Sequence, residues 1–280
     1  MSKKRYSLYF GIAATTLASL LPTGCGTEVA GSHHPSAYAN EAAITGPWIR
    51  GFTPAGVSAD IHANQGYAYG TAPDGTDLHY FFASRTLTLS STYLTLTPLA
   101  SSDALLPNTD HQGAGDYYEG RVYSVVQDWH GCSVPDGPID VEVFDGTSLA
   151  PLSSADITAY QPEASGMTID RHTGKAIVSS YCVPDKLFVY DKTNWQLEGT
   201  IPLPIHVGHI QGVSWRRGFV YIGNAEGQLY GLRMFDGTMR LLLSTGIQGE
   251  FEGPDFHSAQ LRWLENDATG HYLYLFNPEY

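Results

Sequence analysis

The sequence predicts an all-β protein, specifically a five-bladed β-propeller. Three observations carry that expectation. A polar residue followed by glycine recurs five times just ahead of a β-rich stretch, at Gln65-Gly66, Gln112-Gly113, Ser165-Gly166, Gln211-Gly212 and Glu252-Gly253. The intervals are 47, 53, 46 and 41 residues, which suits one four-stranded sheet per repeat. The composition agrees: 30 Gly and 18 Tyr with only 15% charged residues describe a turn-rich β protein rather than an unstructured chain.

The elements follow in order. Residues 1–24 open with Lys3, Lys4 and Arg5, continue through an apolar run over 6–21 and end in small residues before Cys25, the pattern of an export signal too short to span a membrane with its own flanks. Residues 25–45, with His33 and His34, show neither the helical nor the strand period and form a tether. The propeller then occupies 46–280, where five blades of about 47 residues fill the length. Each polar-Gly pair leads into an alternating strand, at 78–84, 121–127, 175–181, 219–225 and 272–277. Third strands follow at 140–145, 187–191 and 228–235, and Asp74-Gly75, Asp145-Gly146 and Asp236-Gly237 mark tight turns. No segment sustains a 3.6-residue period, so helix is expected to be scarce. The last repeat ends without an outer strand; the extended stretch 47–53 is the natural supplier, closing the ring and hiding two sheet edges.

The signal resembles those of bacterial lipoproteins, in which the cysteine becomes the lipidated first residue, here Cys25. Pro22 departs from that pattern where leucine is usual, and ordinary signal cleavage near the same point is the alternative. Spending Cys25 on lipid leaves Cys132 and Cys182 as a pair, which an exported protein oxidises. Both follow the second strand of neighbouring repeats, so a bridge is expected, against two unpaired thiols. Without residues 1–24 the chain keeps 12 Lys plus Arg against 28 Asp plus Glu, a charge of −16 that repels phosphate backbones and argues against nucleic acid as a partner.

The inner strands of a propeller crowd its axis, where glycine lets backbones approach. The preceding residues, Gln65, Gln112, Ser165, Gln211 and Glu252, are then expected to form an axial ring of oxygens able to hold calcium or another divalent cation, or else a mutual hydrogen-bond network around water. One or two places earlier, Asn64, Asp110, His111, Glu163, His209 and Glu250 surround the mouth. Such convergence from several repeats suits a binding or catalytic site. The histidines offer a transition-metal site with Gln211, or His111 is a general base oriented by Asp110 or Asp116, with His209 a further catalytic candidate. Asp116-Tyr117-Tyr118-Glu119 reads as a sugar-stacking platform or as plain strand and turn, and Arg216-Arg217 as a carboxylate grip or a solvated turn. Trp129-His130 reads as a rim loop covering the disulfide. The Gly-x-Ser-x-Gly elbow, His-Glu-x-x-His, phosphate-binding glycine loop and Cys-x-x-Cys are absent, which disfavours serine hydrolases, zincins and nucleotide binders.

Residues 109–123, 187–191, 209–213 (His-Ile-Gln-Gly-Val) and 250–253 (Glu-Phe-Glu-Gly) together resemble a group of secreted bacterial β-propeller proteins, mostly without assigned function. The resemblance spans nearly all of the folded part and implies the blade more than a chemistry; similar-looking propellers include calcium-bound phosphatases and lactonases, sugar-cleaving enzymes and binding scaffolds. Dense acidic clusters of a multi-calcium phosphatase are missing. Three functions follow as expectations: a cell-envelope protein binding a small polar or carbohydrate-like ligand at the axial mouth, a hydrolase or lyase on carbohydrate, ester or lactone, and a docking scaffold.

Overall fold

The computed structural model describes residues 47–280, apart from His62, Thr95, Asn108 and residues 134–136. The export signal, the tether and Cys25 lie outside the described residues. Twenty-one strands and no helix occur among those described. They form five antiparallel sheets arranged as a β-propeller.

A first strand, β1 (Gly51–Asp60), belongs to the last blade. Blade 1 follows as β2 (Gly66–Thr71), β3 (Asp77–Phe82), β4 (Thr86–Ser90) and β5 (Pro98–Asp103). Blade 2 has an interrupted inner strand, β6 (His111–Gln112) and β7 (Asp116–Tyr118), then β8 (Arg121–Gln127), β9 (Ile139–Asp145) and β10 (Pro151–Asp156). Blade 3 comprises β11 (Gly166–Ile169), β12 (Ala176–Ser179), β13 (Lys186–Tyr190) and β14 (Leu197–Pro202). Blade 4 comprises β15 (Ile210–Arg216), β16 (Phe219–Asn224), β17 (Gln228–Arg233) and β18 (Met239–Ser244). Blade 5 is β19 (Glu250–His257), β20 (Gln260–Asp267) and β21 (Gly270–Glu279), completed by β1. β1 runs antiparallel to β21, with Gly51 opposite Glu279 and Thr53 opposite Asn277. The two ends of the folded part thus close the ring, as expected, although the closing strand begins later than 47–53 and runs further.

One expectation is corrected in blade 5. Residues 272–277 lie in the third strand, and the second is β20. β20 carries the buried charged residues Arg262 and Glu265, which break its apolar pattern.

Side chains explain why the sheets hold together. Middle strands are covered on both faces by neighbouring blades, so β16 (Phe-Val-Tyr-Ile-Gly-Asn) is buried throughout, while outer β10 is largely exposed. Five apolar clusters result, one at each blade interface; Tyr80, Phe82 and Leu87 of blade 1 meet Val122 and Phe144 of blade 2, for example. Turns are set by aspartate. Asp145, Asp191 and Asp267 each accept the backbone N–H two residues on, at 3.0, 2.8 and 2.6 Å, which fixes the bend into the next strand.

The five inner strands nearly touch at the axis. A methyl built on Gly212 would lie 2.7 Å from Gly253 Cα, and one built on Gly166 would lie 2.9 Å from Gly212 Cα. Ala114 completes the ring and its methyl fills the centre: built methyls on Gly66, Gly166 and Gly212 would lie 2.8, 3.3 and 3.3 Å from it, and one on Gly253 would run into it. The propeller axis is therefore plugged by Gly66, Ala114, Gly166, Gly212 and Gly253.

Candidate functional site at the axial mouth

The plug fixes the register of everything above it. Gln65, Ser165, Gln211 and Glu252 immediately precede ring glycines, but the blade 2 member of the ring is Ala114, and the residue before it is Gly113. The backbone agrees, since Gln65, Gly113 and Ser165 each donate their N–H to the neighbouring strand at the same point of the blade. Gln112 therefore sits one place off the expected ring. It is fully buried, and neither its Oε1 nor its Nε2 has a hydrogen-bond partner.

The expected five-membered oxygen ring is reduced further by local bonds. Ser165 Oγ pairs with Ser179 Oγ at 3.0 Å within its own blade. Gln211 Nε2 donates to Glu250 Oε1 at 2.6 Å. Glu252 receives one long bond, from Asn266 Nδ2 at 3.4 Å, and burial together with the nearby charge of Glu250 raises its pKa well above the ordinary carboxylate range. Gln65 Oε1 is buried with no partner. Among the described residues, no group of three or more His, Cys, Asp or Glu is close enough to hold a metal ion together.

Three residues before each ring member the register yields Ala63, His111, Glu163, His209 and Glu250. Three of these open into one cavity of about 270 Å³ at the end of the axis, lined by Gln65, His111, Trp129, Glu163, Tyr181, Gln211, Glu250 and Glu252. Glu163 is 1% exposed and organises the wall: its Oε2 accepts from Ser180 Oγ (2.7 Å), Tyr181 N (2.6 Å) and Cys182 N (3.3 Å), and its Oε1 from Gln127 Nε2 (3.4 Å). Burial nevertheless pushes its pKa up to about 7, with those donors pulling the other way. His111 is held neutral by burial, its pKa lowered to about 4 despite the carboxylate of Asp110.

Tyr181 is the lining residue that the sequence reading missed, and Trp129, expected in a rim loop over the disulfide, lines the cavity as well. Their rings meet edge to face at 5.7 Å, and His111 tilts against Trp129 at 5.9 Å. Asp110 Oδ1 accepts the backbone N–H of Trp129 at 2.9 Å and so sets the rim loop rather than His111. His209 stacks on the outer side of Tyr181 at 4.6 Å and bonds Glu226 Oε1 through Nδ1 at 2.6 Å. Behind both aromatics, Cys132 and Cys182 form the expected disulfide, Cα to Cα 5.2 Å, joining the loops after β8 and β12. Trp129 faces the cavity and does not merely shield that bridge. The signal was available: each bridged cysteine follows an aromatic within three residues, at Trp129 and Tyr181.

Other expected members lie elsewhere. Asn64 accepts Ser84 N at 3.0 Å and secures a blade 1 turn. Asp116 stands at the opposite end of the axis, where Arg171 grips both its oxygens at 2.5 and 2.6 Å and Thr168 Oγ1 donates at 2.8 Å. It cannot orient His111. Tyr117, Tyr118 and Arg216 line a shallow cleft of about 430 Å³ at that end, alongside Tyr69, Trp215 and Asp255. Asp255 is half-buried there, and desolvation followed by the nearby charge of Asp116 raises its pKa, though Ser214 Oγ and Tyr69 N bond it at 2.8 and 2.7 Å. Arg217 occupies the exposed turn after β15.

No family model and no curated protein sequence matches the chain. Among solved structures it is similar to the glutaminyl cyclase of Myxococcus xanthus. That likeness has a TM-score of 0.61 at 14% identity, over 84% of this chain and 99% of the other. It is also similar to a luciferin-regenerating enzyme, with a TM-score of 0.51 at 10% identity, over 78% of this chain and 79% of the other. At these identities the likeness is one of fold, a β-propeller.

Proposed function

We propose that this protein binds a small polar or carbohydrate-like ligand in the axial cavity. The supporting observation is convergence: carboxylates, amides and an imidazole from all five blades meet beside two aromatic faces, and Gln65 Oε1 at the floor has no protein partner. Aromatic walls with a few convergent polar groups are the usual make-up of a small-molecule site. Calorimetry of the full chain against a panel of glycans, amines and divalent cations tests the reading. Saturable binding that Trp129→Ala weakens supports it, whereas heats indistinguishable from dilution across the panel refute it.

A hydrolase or lyase is the second reading, and Glu163 favours it. A buried carboxyl held near neutrality in a cavity wall is suited to give and take a proton at physiological pH. A screen over esters, lactones, polysaccharides and peptides with amino-terminal glutamine tests it, the last because one structural neighbour is a cyclase by name. A rate that follows ionisation near pH 7 and disappears in Glu163→Gln supports catalysis.

We further propose export, with lipid attachment at Cys25 tying the propeller to a membrane. The Cys132–Cys182 bridge supports an oxidising compartment. Mass spectrometry of the mature amino terminus distinguishes a diacylglyceryl cysteine from an unmodified cleaved end.

A further inference from the structure

The axial cavity is selective in sign as well as in shape. Of its eight lining residues three are glutamates and none is lysine or arginine. Burial and then the charges of Glu250, Glu226, Glu252 and Glu163 raise the pKa of the Tyr181 phenol, so four carboxyl groups act on one wall of the mouth. Its imidazole, His111, is kept neutral. An anionic ligand would meet repulsion from this set and find no compensating cation. A neutral one lacking donors would leave the buried Glu252 with only its long bond from Asn266, which is costly away from water.

The floor also specifies hydrogen bonding. Glu252 is 3% exposed and receives only the long bond from Asn266, so most of its acceptor capacity is unused. Gln65 Oε1 is an acceptor with no donor. Glu250 keeps one oxygen beyond the bond it accepts from Gln211. Gln65 stands in blade 1 and both glutamates on β19 of blade 5, so the acceptors reach the cavity from two neighbouring blades. They suit a polyatomic donor with several N–H bonds. The rings of Trp129 and Tyr181 line the same space, and an aromatic lining attracts organic cations.

We propose that the ligand of the axial mouth carries a primary ammonium group, seated on Gln65 Oε1, Glu252 and Glu250, with its body against Trp129 and Tyr181. This rests on the reading of the mouth as a ligand site and adds the chemical class. A primary ammonium supplies three donors to the three acceptors, whereas a trimethylated one supplies none. The same chemistry occurs in amino sugars and in aralkylamines, and paired probes tell them apart.

The test is calorimetry of the full chain at pH 7 with matched pairs: glucosamine against glucose, and phenethylamine against 2-phenylethanol and against its trimethylammonium counterpart. We expect the ammonium member of at least one pair to bind about tenfold or more tighter than its neutral partner, as charge-assisted hydrogen bonds allow. The trimethylated probe falls behind the primary amine. Repeating the titration in two buffers of different ionisation enthalpy should show proton release, as the bound cation drives Glu252 to ionise. Glu252→Gln and the exposed-site variant Glu250→Gln each narrow the preference, and Trp129→Ala weakens both members of a pair while leaving the preference intact. Binding of glucose or 2-phenylethanol as strong as that of its amine, or a preference that survives Glu252→Gln with Glu250→Gln, overturns the ammonium assignment while the site itself stands. Failure of every probe overturns both.

Discussion

The axial plug yields a quantitative test through Gly253 and Ala114. A methyl added at Gly253 runs into the Ala114 methyl, and Gly253 has φ +25°, a conformation that other residues rarely adopt. Overpacking of this kind costs about 1–3 kcal/mol, and the backbone strain adds about 1 kcal/mol. Gly253→Ala is therefore expected to lose about 3 kcal/mol, which lowers the Tm of a domain this size by about 6–12 °C. Ala114→Gly removes one buried methyl and adds chain entropy, for about 1.5 kcal/mol. Together they move the methyl from one side of the axis to the other and leave its volume almost unchanged. The double variant should then cost about 2 kcal/mol or less, well below the sum of about 4.5 kcal/mol expected of independent sites. Denaturant unfolding of the four proteins in a double-mutant cycle measures the difference. Additivity within about 0.5 kcal/mol, or a Gly253→Ala variant as stable as the parent, would refute the claim that these backbones share one crowded point.

Other expectations are as direct. Glu163 and Glu265 have pKa values raised to about 7 from 4.5 by burial, so their contribution to stability is full below about pH 4.5 and is lost as pH rises through 7. Acidifying from pH 8 to 6.5 should raise Tm, and Glu163→Gln should flatten that slope in a thermal-shift series; an unchanged slope contradicts the assignment. Below about pH 6.5 His111 and His79, lowered to about 4, must take up protons on unfolding and offset that gain, so the rise in Tm should flatten there. Removing the Cys132–Cys182 bridge, which closes a separation of 50 residues, should cost about 4 kcal/mol on the chain-entropy model and loosen the Trp129–Tyr181 wall, seen as lower denaturant midpoint and altered tryptophan emission. Arg262→Met removes the guanidinium that bonds His257 Nδ1 at 2.5 Å and Tyr67 Oη at 2.6 Å; histidine titration by NMR should show the His257 pKa moving up towards 6.5.

Fold class was legible because glycine spacing and strand alternation report the same period. The clustering at the axial mouth was legible for a related reason, since the inner-strand register brings His111, Glu163 and Glu250 to one cavity without any local motif. Three slips have physical causes. In blade 2 the inner strand is interrupted between β6 and β7, so Gln112-Gly113 imitates the repeat signature one residue away from the true axial member, Ala114. In blade 5 the buried Arg262 and Glu265 interrupt the alternation of β20, whereas 272–277, in the third strand, keeps it. Arg262 is tolerated there because Tyr67, His79 and His257 accept its hydrogen bonds and Tyr93 stacks on it at 3.6 Å, partners drawn from blade 1 and from the neighbouring strand β19. Such compensation crosses blades and leaves no trace in local spacing. Asp116 was misplaced next to His111 for want of scale: five residues of extended chain span about 16 Å, enough to pass from one end of the axis to the other.

Because a single methyl stops the bore, the two ends of the molecule are separate vessels that share a wall but no passage. A ligand of the proposed site at the Trp129 rim would have to leave the way it came, so a polymer could present only a terminus or a side branch.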